Sequence, residues 1–151
     1  MIDISIIIPH YNSVVSLEKL LNSIPKNKAL EIIVIDDNST DHNALSFNRL
    51  KNTKRYSHVL FKQNTTNYKG AGTCRNIGIS FAKGKWIVFA DADDFFTDDF
   101  YNIVSNYLES DNDVVFFTPR SIDINTQSES DRHVPYEQLI DEYLLDNNII
   151  T

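Results

Sequence analysis

Trp86-Ile87-Val88-Phe89-Ala90-Asp91-Ala92-Asp93-Asp94 joins five apolar residues directly to three carboxylates in four positions. The apolar run follows Gly84 and reads as a buried strand. The carboxylates then emerge together at its carboxyl end. Carboxylates so close repel one another, and each loses hydration. A hard divalent cation relieves both problems, because Mg²⁺ and Mn²⁺ prefer oxygen ligands and bridge carboxylates to the phosphates of a substrate. The same residues also read as a solvated acidic turn opening a helix, since Asp98 and Asp99 follow.

Outward from this stretch, strands and helices alternate. Ile4 to Ile8 is a first buried strand, stopped by Pro9. Leu17, Leu20, Leu21 and Ile24 fall on one helix face, and Pro25 ends that helix. Ile32 to Ile35 is a second strand, followed by a weak helix around Ala44 to Leu50 and a short third strand, Val59 to Phe61. Gly70 and Gly72 open a helix with Cys74, Ile77, Gly78 and Phe81 inward, and Gly84 stops it. After the fourth strand, Phe100, Ile103, Val104, Tyr107 and Leu108 make a helical stripe, and Val114 to Phe117 is a fifth strand. This alternation predicts an α/β fold with a mainly parallel central sheet and helices on both faces.

Residues 120–133 are polar, lack periodicity and read as a loop; Tyr136, Leu139, Ile140, Tyr143 and Leu144 then form an amphipathic stripe. The expected organisation is a core over residues 1–118 and a loop with a helix over 119–151.

Composition narrows the function. The chain has 151 residues, 42% of them apolar, which suits one folded domain. A formal net charge of -7 argues against a broad nucleic-acid surface. It still permits a phosphorylated small ligand, because a bound cation reverses the local sign. Cys74 is the single cysteine, so no intrachain disulfide forms, and a reducing compartment is expected. Its simplest reading is a small buried apolar group on a helix. No run reaches membrane-spanning length and no signal peptide opens the sequence, so a soluble cytoplasmic domain is expected.

In an open α/β sheet, ligands bind beyond the carboxyl ends of the strands. Pro9-His10-Tyr11-Asn12, Asp36-Asp37-Asn38-Ser39 and Asp91 to Asp94 all fall at such ends. Between the last two lies Lys69-Gly70-Ala71-Gly72-Thr73-Cys74-Arg75-Asn76. Its glycines allow close backbone approach, and Arg75 offers a fork of donors suited to phosphate or carboxylate. Each cluster also has a structural reading. Asp36 to Ser39 caps a turn and helix, the glycines serve turn geometry, and Arg75 pairs with the acidic loops. His10 reads as a packed or exposed loop histidine, and Tyr11 and Tyr68 read as packing residues ahead of base-stacking ones. Neither the dinucleotide fingerprint nor a P-loop is spelled here.

SIIIPHYNS (5–13), IIVIDDNSTD (32–41) and GAGTCRNIGISFAKGKWIVFADADD (70–94) together resemble the nucleotide-sugar-binding half of family 2 inverting glycosyltransferases with the Rossmann-like GT-A fold. The resemblance covers about residues 3–118. It implies a site for a nucleoside-diphosphate sugar, with uracil the base the family favours. Asp37 resembles the aspartate that hydrogen-bonds the base, and Pro9 to Tyr11 the segment bordering it. Arg75 resembles a basic residue facing the nucleotide. In the Asp91-Ala92-Asp93 motif, Asp91 resembles the aspartate near the ribose or donor sugar, and Asp93 the one holding Mn²⁺ or Mg²⁺ against the diphosphate. Asp94 resembles a supporting residue. The family's catalytic base lies well beyond this motif; Asp123, Glu129, Asp131, Glu137, Asp141 and Glu142 stand in no recognisable base motif.

The implied reaction is metal-dependent transfer of a sugar to the hydroxyl of a saccharide or lipid-linked acceptor, with inversion, in polysaccharide or glycolipid synthesis. A lipid-linked acceptor places the whole protein at the inner face of a membrane, and the tail stripe offers a surface for a homodimer. Two rivals stand beside it: a non-catalytic nucleotide-sugar-binding or partner-docking module, and a nucleotidyltransferase. The glycine-rich, lysine-bearing segment that nucleotidyltransferases carry after strand one is missing.

Overall fold

Ile6, Ile7 and Ile8 have no exposed surface, and neither do Ile33, Val34 and Ile35. Strands so covered on both faces belong at the centre of a parallel sheet. The computed structural model describes residues 1–117, 120–122 and 129–131. In it β1 (Ile4–His10) pairs in parallel with β2 (Leu30–Asp36) on one side and β4 (Trp86–Phe89) on the other. β3 (Val59–Gln63) extends the sheet beyond β2, giving the order β3-β2-β1-β4.

The helices between the strands cover both faces. Alternate residues Ile4, Ile6 and Ile8 of β1, with Ile32 and Val34 of β2, pack against Leu17, Leu20 and Leu21 of α1 (Val14–Ser23) and Phe47 and Leu50 of α2 (Asp41–Lys51). Val104 of α4 (Phe100–Ser105) joins this layer. On the opposite face, Ile7, Ile33 and Ile35 pack against Cys74 and Ile77 of α3 (Ala71–Phe81). The chain therefore steps outward from β1 to β3 through α1 and α2, then returns through α3 to β4. The reversal leaves a crevice between the carboxyl ends of β1 and β4, the usual ligand position in such sheets.

Several sequence expectations are corrected. β1 does not stop at Pro9 but continues to His10. Proline is tolerated there because the odd-numbered residues of β1 face β4, and that pairing ends at Ile7 opposite Phe89. β4 is not buried: it lies at the edge of the described sheet, and Ile87 and Phe89 are exposed on the side that α3 leaves open. An apolar run gives no sign of whether its strand is central or at an edge. α3 ends at Phe81, with Ala82 as its extended cap, so Gly84 is not its stop. The stripe from Phe100 to Leu108 is helical only to Ser105.

Met1–Asp111 and Asn112–Thr151 are separate compact units. In the second, Val114 to Phe117 is not a strand, although its apolar run reads as one. Part of the expected polar loop is instead an antiparallel pair, β5 (Arg120–Ile122) with β6 (Glu129–Asp131). Backbone ladders need no apolar periodicity, so the pattern missed it. The amphipathic stripe after Pro135 lies outside the described residues.

Gly84 serves packing. A Cβ there would lie 2.5 Å from the Ser5 nitrogen and 2.7 Å from the Ile4 carbonyl carbon. The Gly84 N–H donates to Ser5 Oγ at 2.8 Å, and that hydroxyl donates to Glu31 Oε1 at 2.5 Å. Backbone atoms on a central strand cannot yield cheaply. Gly84→Ala is expected to lower stability by about 1–3 kcal/mol. Gly72→Ala, whose added carbon meets nothing within 4 Å, leaves stability unchanged or higher. Urea unfolding of the two variants checks this, and equal losses would contradict it.

Candidate functional site

A cleft of about 320 Å³ opens where β1 and β4 part. It is lined by Pro9, His10 and Tyr11 from the end of β1, Asp37 after β2, Gly70, Ala71 and Cys74 at the start of α3, and Asp91 and Ala92 after β4. Of the residues expected in a site, Pro9, Tyr11, Asp37, Asp91 and Ala92 thus meet in one cavity. Arg75 and Asp93 are not among its lining residues.

The floor rests on a buried polar cluster. Asp36, the last residue of β2, is only 3% exposed. Its Oδ1 accepts hydrogen bonds from His10 Nδ1 at 2.9 Å and Ser39 Oγ at 2.6 Å, and its Oδ2 from the Ser39 N–H at 3.1 Å. The Ser13 N–H donates to His10 Nε2 at 3.3 Å, which assigns the ring proton to Nδ1. The imidazole also stacks on Phe47, ring centres 4.9 Å apart. His10 is thus the packed histidine of the sequence alternatives. Burial alone would push the Asp36 carboxyl up, but the hydrogen bonds from His10 and Ser39 outweigh it and hold the group below its ordinary value of 3.8.

The loops after β1 and β2 are fastened above this cluster. Asn12 and Asn38 both take positive φ, 52° and 60°, a conformation asparagine tolerates better than most residues. The Asn12 N–H donates to Ser39 Oγ at 2.9 Å, and Asn12 Oδ1 accepts from the Thr40 N–H at 2.9 Å.

Asp37 is 7% exposed and faces the cleft. Its Oδ1 accepts from Asn64 Nδ2 at 2.6 Å, and its Oδ2 from the Gly70 N–H at 2.7 Å. Gly70 stands at φ 110°, where a side chain is strained, so glycine is required for that N–H to aim at Asp37. The fully buried thiol of Cys74 is pushed up to about 12 by burial, then by the charge and hydrogen bonding of Asp37. The apolar reading of Cys74 holds, with Asp37 as an added neighbour.

Asp91 to Asp94 form a turn closed on itself: the Asp91 N–H donates to Asp94 Oδ2 at 2.8 Å, and the Asp94 N–H to the Asp91 carbonyl at 2.9 Å. Arg75 Nη2 donates to Asp91 Oδ1 at 2.6 Å, and the guanidinium lies over the Phe89 ring, 5.7 Å from its centre. Its Nε is buried with no hydrogen-bond partner among the described residues. Asp93 projects from the same turn, exposed. Tyr11 and Tyr68 are not packing residues: they are 50% and 77% exposed on loops beyond the sheet. Lys69 Nζ sits 5.6 Å from the Tyr11 ring centre, within cation–π range.

Residues 5–150 match the family model described as glycosyl transferase family 2. The chain belongs to that family. It is 42% identical over 96 residues to the poly(ribitol-phosphate) beta-glucosyltransferase of Bacillus spizizenii, covering 61% of this chain and 15% of that protein. It is 34% identical over 119 residues to the UDP-Glc:alpha-D-GlcNAc-diphosphoundecaprenol beta-1,3-glucosyltransferase WfaP of Escherichia coli, covering 76% and 44%. The chain thus spans less than half the length of both relatives. The crystal structure of Staphylococcus aureus TarS residues 1–349 with UDP-GlcNAc superposes with a TM-score of 0.58 at 29% identity, covering 72% of this chain and 31% of that one. The sheet is the Rossmann-like half of the GT-A fold expected from sequence. No helix among the described residues is long and apolar enough to cross a membrane.

The sequence reading missed Asn64, which is 1% exposed and pairs with Asp37. Its place one residue past β3 was the only sequence hint, since a lone asparagine spells no motif.

Two outcomes follow from the buried groups. The folded Asp36 carboxyl lies below its unfolded value, so its contribution is fully present above that value and is lost as pH falls through the folded one. Asp36→Asn is expected to cost about 2 kcal/mol at neutral pH, and the deficit shrinks below pH 3.8. Urea titrations across acid pH measure it; a pH-independent deficit would contradict the assignment. Cys74 should resist iodoacetamide in the native chain at pH 8 and react once unfolded, read by mass spectrometry.

Proposed function

We propose that this chain is the donor-binding half of an inverting glycosyltransferase that takes a sugar from a UDP-type donor. The observation that carries this is the single cleft joining Asp37 to the Asp91-Ala92 turn. The TarS structure with UDP-GlcNAc, which shares the fold at 29% identity, supports it. Asp37 takes the base. An ionised carboxylate only accepts hydrogen bonds, so the edge it meets must donate, as the N3–H of uracil does and the bare N3 of cytosine does not. Pro9 and Tyr11 wall the base side, and Asp91 reaches the ribose or donor sugar.

The acidic turn suits a divalent ion. Asp91 is engaged by Arg75 and Asp94 by the Asp91 N–H, whereas the Asp93 carboxylate has no partner among the described residues. No group of three or more metal-ligating side chains forms among those residues. An Mg²⁺ or Mn²⁺ held together with donor phosphates needs only one or two carboxylates. Such an ion would stabilise the charge that grows on the departing diphosphate. The chain's own part is to hold the base at Asp37, keep Asp91 fixed through Arg75, and offer Asp93 beside the diphosphate. With the donor held so, its anomeric carbon stays open to an acceptor hydroxyl from the opposite side. The relatives' names support a poly(ribitol-phosphate)-like polymer or a lipid-linked saccharide as acceptor, and a lipid-linked acceptor suits a reaction at the inner face of a membrane.

Calorimetric titration with UDP tests this. Binding should tighten with Mn²⁺, and Asp93→Ala should lose roughly tenfold or more in Mn²⁺-supported affinity, about 1.4 kcal/mol. UDP affinity indifferent to both Mn²⁺ and the substitution would sink the metal assignment.

A further inference from the structure

Asp37 does not hold its own orientation. A carboxylate at a loop start rotates about two bonds, and here both oxygens are fixed by groups from the segment between β3 and α3. The more buried of these is Asn64, one residue beyond β3. Its amide is fully used. Nδ2 donates to Asp37 Oδ1 at 2.6 Å and to the Tyr68 carbonyl at 2.7 Å. Oδ1 accepts from the Thr66 N–H at 2.9 Å and Thr66 Oγ1 at 2.7 Å. The Asn64 N–H donates to the Asp36 carbonyl at 2.8 Å, which continues the β2–β3 ladder past its last pair. The side chain therefore starts from a fixed point on the sheet.

We propose that Asn64 is a positioning residue that sets which way the Asp37 carboxylate faces, and so the nucleobase the cleft accepts. The proposal rests on the assignment of Asp37 to the base. With one Nδ2 hydrogen on Oδ1, the Gly70 N–H on Oδ2 and the Cys74 thiol also bonded to the carboxylate, its plane is set. Only its remaining lone pairs stay available to a ligand. Those lone pairs meet a base edge that donates and repel one that accepts. The second Nδ2 hydrogen, on the Tyr68 carbonyl, ties the same amide to the loop that leads to Lys69 and Gly70. One amide thus holds both the carboxylate and the loop.

Asn64→Asp separates this role from space filling. It keeps the shape and an acceptor toward Thr66, but replaces the donor facing Asp37 with a second carboxylate. Asn64→Ser, which adds no charge, serves if the first variant fails to fold. Affinities for UDP, CDP and pyrophosphate are measured with Mn²⁺ on the whole chain, with thermal melting alongside. In the parent chain UDP should bind at least tenfold tighter than CDP. In the variant that ratio should fall toward one, with pyrophosphate affinity within about twofold of the parent. A ratio that survives in a folded variant overturns the role of Asn64 alone. Equal weakening of UDP and pyrophosphate also overturns it, since that marks general damage to the cleft. A parent chain that does not prefer UDP overturns the Asp37 assignment, and this proposal with it.

Discussion

The buried carboxylate of Asp36 is the constraint on which the site depends. A charge taken out of water is costly unless hydrogen bonds replace its hydration. Here His10 Nδ1, Ser39 Oγ and the Ser39 N–H supply that replacement. These donors come from the end of β1 and the loop after β2, so satisfying one carboxylate fastens both strand ends together. Removing a donor would leave the charge short of partners, which makes the cluster close to all-or-none. The loops carrying Tyr11 and Asp37 inherit their positions from it.

Two adjacent aspartates divide the work. Successive side chains at a strand end point opposite ways. Asp36 turns inward to the His10 cluster, and Asp37 turns toward the cleft, where Asn64 and Gly70 hold it. The opposite wall is built differently. The turn from Asp91 to Asp94 follows the edge strand of the described sheet, is exposed, and is closed by its own hydrogen bonds and Arg75. One wall is thus fixed by burial and the other by local hydrogen bonds at the surface.

The parallel sheet was legible because continuous apolar strands and helical stripes leave strong periodic signals. The strand ends were legible because Asp, Asn and Gly cluster there. What escaped the sequence depended on partners. Nothing in Trp86 to Ala90 says that β4 is an edge, since edge and centre differ in neighbours and not in composition. Val114 to Phe117 has strand-like residues but is not a strand. Arg120–Ile122 and Glu129–Asp131 have a ladder without strand-like periodicity. In the site, Asp37 could be named from its motif, whereas Asn64 could not: a lone asparagine has no spacing, and its importance lies in four hydrogen bonds visible only in three dimensions.

The strand order also governs how the chain is made. β1 is synthesised before β2, β3 and β4, yet its register with β4 joins Ile4 to Trp86. Until β4 leaves the ribosome, one edge of the central strand stays unpaired. The earlier part, β1 through β3 with α1 and α2, can form as a three-stranded half-layer whose other face, with Ile7, Ile33 and Ile35, awaits α3. Non-local parallel pairing of this kind is slow and leaves nascent sheet edges open to wrong partners. Ser5, buried in β1, later receives the N–H groups of Lys83 and Gly84 just as β4 begins. That contact works as a register mark, letting β4 dock in one position on the edge of β1 that has waited for it.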